Sequence, residues 1–190
     1  MFINIKILKS LMKESYKNGL LIGQTENEIH LSGKSWTADI KKKWMPKQIM
    51  AQIIELAGEL PDVGKRKLYY RTNGNDYSED MGEMVKEEEE ELNAMAEVTD
   101  MILIDAFETK NRLLQTNQRI LVVNNVFVEI ADLLYWDAEK ESSIEGPFLR
   151  DHRIVWRTNM AQFSADLKED MRHNRLLNEL CMLDLSEDPS

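Results

Sequence analysis

The chain has 190 residues, of which 43% are hydrophobic, and its formal net charge at pH 7 is −10. This length and apolar content favour one folded domain, or one domain with a small appendage, and they exclude global disorder. A single cysteine, Cys181, excludes an intramolecular disulfide and a thiolate metal cluster. The acidity argues against tight general binding to nucleic acid, whose phosphates would repel the chain.

The sequence shows no targeting or membrane-spanning segment. Residues 1–6 lack the apolar run of a signal peptide. No stretch approaches the roughly 18 apolar residues that are needed to cross a bilayer. We therefore expect a soluble, cytoplasmic protein.

Charge is distributed unevenly along the chain. Residues 1–71 carry thirteen Lys and Arg against seven Asp and Glu, whereas residues 72–190 carry eleven against twenty-seven. The local balances are thus +6 and −16. Residues 76–108 alone hold thirteen carboxylates and one base, Lys86, with five consecutive glutamates at 87–91.

Hydrophobic periodicity predicts the elements of the first half. Apolar residues at helical spacing predict a helix over 3–18, whose lysines form a solvated face. Period-two alternation predicts a three-stranded antiparallel meander over 20–44. A second helix is predicted from Pro46 to about Glu59, and a short strand over 67–71.

The second half begins with the acidic stretch. Residues 83–96 have helical propensity, but consecutive glutamates repel one another, so we expect a solvated helix or a loose arm. Residues 98–104 are rich in β-branched side chains and predict a strand, with a helix as the alternative.

Two hairpins and a helix are predicted for the remainder. Residues 119–130 predict a hairpin with its turn at Asn124-Asn125, because Asn accepts the positive φ of a two-residue turn. Residues 147–157 predict a second hairpin in the same manner. Apolar residues spaced over 159–183 predict a terminal helix.

These elements predict an α+β fold in which antiparallel hairpins and a meander pack against three to four helices. Residues 1–75 would form a helix-meander-helix-strand unit, and residues 99–190 would contribute the hairpins and the terminal helix. Residues 76–98 would link them as an acidic helix or arm. The two larger parts form either separate units or one continuous domain.

No catalytic motif is apparent. The three histidines, at positions 30, 152 and 173, are far apart and lack the spacing of a zinc-binding pair. No glycine-rich phosphate-binding motif occurs. We therefore expect a protein that is not an enzyme and needs neither metal nor cofactor. A small hydrolase would require an acid–base pair that the sequence does not single out.

The acidic stretch is the first candidate binding surface. Carboxylates laid out on a folded body would attract a protein with a basic nucleic-acid-binding surface, whereas the alternative is a solvated linker. The carboxylates before residue 84 lack the spacing of an EF-hand calcium loop. The candidate partner-binding residues are Asp76, Glu79, Asp80, Glu83, Glu87, Glu88, Glu89, Glu90 and Glu91.

A basic cluster beside a tryptophan is the second candidate. Lysines next to an aromatic ring can bind phosphate and base together, although lysines also protect the edges of sheets. Direct binding of nucleic acid is therefore the alternative function. Its candidate residues are Lys34, Lys41, Lys42, Lys43, Trp44 and Lys47.

Several segments resemble small proteins carried by phages and conjugative elements of Gram-positive bacteria. They are residues 18–23, Leu31, Trp36, Pro46, 55–61, 120–130 and 145–148. Some proteins of that pool are anti-CRISPR inhibitors of the type II CRISPR effector nuclease, which binds a guide RNA in basic grooves. The resemblance implies a non-enzymatic inhibitor, and it assigns no functional residue.

Overall fold

The structure is a computed structural model that describes residues 1–84, 94–117, 119–168, 174–183 and 185. No helix within these ranges is long and apolar enough to cross a membrane. Two predictions concern residues that lie wholly or largely outside these ranges. The acidic run Glu87–Glu91 lies outside the described residues, and so does most of the predicted acidic helix over 83–96.

Strands dominate the part of the chain that the structure describes. Fourteen of them occur, and they range from two to nine residues in length. They are β1 (Leu20–Gln24), β2 (Glu28–Ser32), β3 (Trp36–Lys41), β4 (Lys65–Thr72), β5 (Asn75–Glu83), β6 (Ala94–Met95), β7 (Glu97–Ile104), β8 (Lys110–Gln115), β9 (Ile120–Asn124), β10 (Trp136–Asp137), β11 (Ser142–Ser143), β12 (Glu145–Arg150), β13 (Arg153–Arg157) and β14 (Ala161–Asp166).

Four α-helices accompany these strands in the described ranges. They are α1 (Ile5–Tyr16), α2 (Lys47–Ala57), α3 (Asn125–Glu129) and α4 (Asn174–Leu180). The side chain of Asn4 caps α1 by accepting hydrogen bonds from the backbone N–H of Lys6 and Ile7. After α1 the chain turns at Gly19, whose φ of 130° suits a residue without Cβ.

Nine strands form one sheet in the order β5-β4-β1-β2-β3-β14-β13-β12-β6. It contains two antiparallel meanders, β1–β3 and β12–β14. The meanders join where β3 pairs with β14, with Ala38 opposite Phe163. Strands from the two ends of the chain thus share one hydrogen-bonded layer.

One face of this sheet carries the main hydrophobic core. In β3, Trp36, Ala38 and Ile40 are buried and alternate with partly exposed residues, because successive side chains of a strand point to opposite faces. The helices α1 and α2 contribute Leu8 and Ile53 to the same core. In β3 the opposite face carries Thr37, Asp39 and Lys41.

Strands β7, β8 and β9 form a separate three-stranded sheet. Leu114 and Leu121 from this sheet belong to the main core. Leu113 and Val122 pack instead with Leu177 of α4 in a second, smaller core. The small sheet is therefore covered by apolar side chains on both faces.

The predicted α+β class is wrong. Described strands far outnumber described helices, and α3 and α4 have only five and seven residues. The fold is mainly antiparallel β-sheet. Strands β5, β8 and β14 were not predicted, because pairing with neighbours decides strand formation more than local preference does.

The hairpin predicted at Asn124-Asn125 is also wrong. Strand β9 ends at Asn124, whose side chain accepts a hydrogen bond from the N–H of Val126 and caps helix α3. Asn125 is the first residue of that helix and is buried. The two-residue turn does not form because the residues that follow Asn124 are helical and provide no second strand to pair with β9.

The terminal helix predicted over 159–183 is correct only near its end. Residues 161–166 form β14, in which Phe163 and Ala165 face the core. Gln162 of this strand is paired with a residue of β13 on one side and a residue of β3 on the other. Helix α4 covers Asn174–Leu180. The apolar residues of this segment fit both periods, and the partner strands select the extended one.

The remaining local predictions are confirmed. They are the first helix, the meander, the second helix, the strands at 67–71 and 98–104, and the hairpin at 147–157. The turn of that hairpin contains Asp151, whose φ is 50°. It is the positive φ expected of a two-residue turn.

Candidate functional site

Four lysines and a tryptophan lie on the segment 41–47, which joins β3 to α2 and which we call the basic segment. A single 3-10 turn, Lys42–Trp44, occupies its centre. The N–H of Lys41 donates to the carbonyl of Met160 at 3.0 Å, and the N–H of Lys42 donates to Asn27 at 2.7 Å. The backbone of the basic segment is therefore fixed to two neighbouring turns.

The Trp44 ring is contacted by two ammonium groups. Lys43 Nζ lies 4.8 Å and Lys140 Nζ 5.1 Å from the ring centroid, within the range of cation–π attraction. Lys140 also donates a hydrogen bond to Asp137. This contact lowers the pKa of the Asp137 carboxyl, so Asp137 stays ionised and holds the lysine beside the ring.

Tyr135 completes this network. Its hydroxyl donates to Asp137 Oδ2 at 3.1 Å. Burial, followed by this hydrogen bond to a carboxylate, raises the pKa of Tyr135 to about 12. The tyrosine is thus a neutral donor at physiological pH, and it further restrains the carboxylate that positions Lys140.

The structure brings together most of the predicted basic cluster. Lys41, Lys42, Lys43 and Lys47 follow one another along the basic segment, and no described carboxylate forms a salt bridge with any of them. Glu28 is opposite Lys41 in the β2–β3 pairing and moderates the local charge.

The site in the structure differs from the predicted one at two residues. Lys34 lies in the turn before β3, at the opposite end of that strand from Lys41, and so does not belong to the basic segment. Lys140 does belong beside it, although no sequence pattern indicated this. Only the fold brings residues so far apart in sequence together.

The described part of the predicted acidic surface lies on strand β5. The side chains of Asp76, Glu79, Asp80 and Glu83 are exposed. However, Arg71 pairs with Asp76 at 3.3 Å and Lys65 with Glu83 at 3.5 Å. The hairpin formed by β4 and β5 carries four basic and four acidic residues, so its net charge is zero.

Histidine, cysteine and carboxylate side chains in the described ranges are the groups that could hold a metal ion. No group of three or more His, Cys, Asp or Glu side chains in these ranges could hold a metal ion. His30 lies opposite Asp39 in the β2–β3 pairing, with Nδ1 2.6 Å from Oδ1. This pair was not foreseen from the sequence, and a cross-strand contact on a sheet face accounts for it.

No protein-family model and no curated protein matches the chain. Among solved structures, the chain is similar to the DNA polymerase III β chain of Streptococcus pneumoniae TIGR4, with 11% identity and a TM-score of 0.36. That alignment covers 92% of this chain and 66% of the other, slightly less than two thirds of its length.

Two further structures give similar values. A putative DNA polymerase III β subunit from Eubacterium rectale has 11% identity, a TM-score of 0.37, and coverage of 92% and 67%. The H. pylori β clamp in complex with 5-chloroisatin has 11% identity, a TM-score of 0.36, and coverage of 91% and 63%. TM-scores this low do not establish a common fold, and no function follows from them.

Proposed function

We propose that this protein is a non-enzymatic binding protein and that its basic segment binds the phosphate backbone of a nucleic acid. One observation carries the proposal. Four lysines occur within seven residues of fixed backbone, and no described carboxylate forms a salt bridge with them. Unpaired ammonium groups on an ordered segment are suited to displacing the counterions of a polyphosphate.

The lysines of α1 provide a contrast within the same chain. That helix and its C-cap residue carry Lys6, Lys9, Lys13 and Lys17, again four positive charges. Lys13 pairs with Glu55 at 3.8 Å, and Lys17 pairs with Glu14 at 2.6 Å. Two of these four lysines therefore form salt bridges, whereas no lysine of the basic segment forms one with a described carboxylate.

The net charge of −10 sets the expected character of the binding. Acidic regions elsewhere on the chain repel phosphates, so only the immediate surroundings of the basic segment attract them. We expect a short binding site and an affinity that falls steeply with salt. Each phosphate contact adds about 0.9 to the slope of log affinity against log salt on duplex DNA and about 0.7 on single strands.

Fluorescence anisotropy with labelled DNA and RNA oligonucleotides tests this proposal. The test variant replaces Lys41, Lys42, Lys43 and Lys47 with Gln, and the matched control replaces the four lysines of α1 with Gln. Both variants lose the same charge. We expect the test variant to lose binding at about 50 mM salt and the control to keep most of it. Equal losses, or no binding by the native protein, would contradict the proposal.

Binding of a basic protein partner is the second candidate function. The exposed strand β5, followed in sequence by the acidic run, favours it. In this case the protein would inhibit a nucleic-acid-processing host defence protein, and the resemblance described above implies a CRISPR effector nuclease. Long-range attraction between opposite charges would accelerate such an encounter.

A further inference from the structure

Strand β5 is at one end of the nine-stranded sheet. It pairs with β4 on one side, and no described strand pairs with it on the other. All nine of its residues are exposed. No described strand therefore occupies the backbone N–H and C=O groups that point away from β4, as at any uncovered sheet edge.

The accessible part of this edge is residues 75–80. They pair with β4 in regular register, from Asn75 opposite Thr72 to Asp80 opposite Lys67. Beyond them, Arg66 Nε donates to the carbonyl of Met81, and the N–H of Gly82 donates to the Asp80 side chain. Those contacts end the regular edge.

Several features that usually protect an edge strand are missing from residues 75–80. This stretch contains no lysine and no proline, and its pairing with β4 is not interrupted by a bulge. Its charged residues, Asp76, Glu79 and Asp80, are all acidic. A second copy of β5 would place carboxylates beside carboxylates, which is destabilising. The charge therefore disfavours self-pairing and selects a basic strand.

The contacts between β4 and β5 show which side chains can pair with those of β5. On one face, Lys67 lies opposite Asp80 and Arg71 pairs with Asp76. On the other face, the ring of Tyr70 stacks on Tyr77, with centroids 5.5 Å apart and planes at 15°. Its hydroxyl donates to Glu79 at 2.8 Å.

We propose that the free edge of β5, residues 75–80, binds a basic extended segment of a partner protein by adding it to the sheet as a further strand. The added backbone would lie about 4.8 Å from β5. Lys or Arg at alternate positions would face Asp76 and Asp80, and an aromatic or donor residue would face Tyr77 and Glu79. This strand addition is independent of nucleic-acid binding by the basic segment, and it rests on the second candidate function, the binding of a basic protein partner.

A peptide with the sequence of β4, residues 65–72, is a suitable probe because it reproduces the strand that β5 already accepts. A labelled copy should bind the full-length protein saturably at low salt. Two control peptides separate the contributions. One replaces its Lys and Arg with Gln, and the other keeps every charge but carries N-methyl groups on alternate backbone nitrogens.

Strand addition requires both the charges and the backbone donors. We therefore expect each control peptide to bind at least about tenfold more weakly than the parent peptide. Hydrogen exchange should slow at amides within residues 75–80 when the parent peptide binds. Full binding of the N-methylated peptide would show simple charge attraction and overturn the proposal, as would a failure of the parent peptide to bind.

A protein variant provides the last check. Ser78→Pro leaves every charge of β5 in place but disrupts backbone pairing at the centre of the edge. We expect it to lose peptide binding while Ser143→Pro, at an exposed position of the separate β10–β11 pair, retains it. If Ser78→Pro alters the circular-dichroism spectrum, the N-methylated peptide decides the outcome alone.

Discussion

Lys140 lies beside Trp44, with its Nζ 5.1 Å from the ring centroid, although the two residues are far apart in the sequence. Asp137 and Tyr135 hold the lysine in place through successive hydrogen bonds. The contact adds a fifth ammonium group to the surroundings of the basic segment, and this one differs from the other four because a carboxylate, Asp137, pairs with it. If that segment binds phosphates, Lys140 should take part.

The variant Lys140→Gln tests this contribution. We expect it to lower the slope of log affinity against log salt by about 1 for duplex DNA, because one phosphate contact is lost. Anisotropy titrations at several salt concentrations measure the slope. Lys110→Gln, on the exposed start of β8, removes the same charge elsewhere and should leave the slope unchanged. An unchanged slope for Lys140→Gln would exclude the residue from the interface.

The turn between β7 and β8 should make stability depend on pH. Burial would raise the pKa of Asp105, but hydrogen bonds from the backbone N–H of Thr109 and Phe107, and from Lys168 and Asn111, lower it from 3.8 to about 2. A depressed pKa means that ionised Asp105 stabilises the fold above pH 3.8. That contribution is lost as the pH falls from 3.8 towards 2.

Thermal melts of the native protein and of Asp105→Asn check this. At neutral pH the variant should melt at a lower temperature than the native protein. The difference should shrink as the pH falls below 3.8, because the native carboxyl then becomes protonated too. A difference that stays constant down to pH 2 would contradict the role assigned to Asp105.

Helix α3 gives a prediction opposite to the one that the hairpin hypothesis makes. With a positive-φ turn at Asn124-Asn125, Asn125→Gly would be neutral or slightly stabilising. In the structure, the buried Asn125 side chain accepts from Arg112 at 2.9 Å and donates to Glu129 at 2.6 Å. We expect Asn125→Gly to lower the free energy of unfolding by about 2–4 kcal/mol, from the lost bonds and the helical glycine.

Urea denaturation measures that change. Asn124→Gly is the matched control, since glycine replaces asparagine at a helix N-cap at a cost of only a few tenths of a kcal/mol. A neutral Asn125→Gly would restore the hairpin hypothesis and contradict the helical assignment.

The sequence predicted the elements whose signals are local. The meander β1–β3 was predicted because Trp36, Ala38 and Ile40 alternate with polar residues, and the basic segment was predicted because three of its four lysines are consecutive. Strand β14 was missed because β3, its partner, is distant in sequence. Its Phe163 also fits helical spacing with later apolar residues. Fold class was wrong for the same reason.

The electrostatics of β5 show the same limit. Counting carboxylates predicted an acidic surface from Asp76 onwards, and the exposure of β5 agrees with this. What counting did not show is that Lys65 and Arg71 lie on the adjacent strand and pair with its carboxylates. The pattern of charges along the sequence predicts the net charge of a surface only when the residues on the neighbouring strand are also known.

The acidic run remains the basis of the second candidate function. Replacing Glu87, Glu88, Glu90 and Glu91 with Gln should leave the fold intact, since solvated carboxylates contribute little to stability. If the second candidate function holds, the variant should inhibit DNA cleavage by a type II CRISPR effector nuclease less than the native protein does. Added salt should reduce inhibition by the native protein towards that of the variant. Equal inhibition at low salt would show that the run is a solvated linker.

The central claim, that the basic segment contacts nucleic acid, is tested most directly by amine-labelling footprinting of the native protein. Mass spectrometry would compare the acetylation rate of each lysine with and without a saturating oligonucleotide. We predict slower labelling of Lys41, Lys42, Lys43 and Lys47, and unchanged labelling of the four lysines on α1. Protection confined to α1, or no protection anywhere, would contradict the claim.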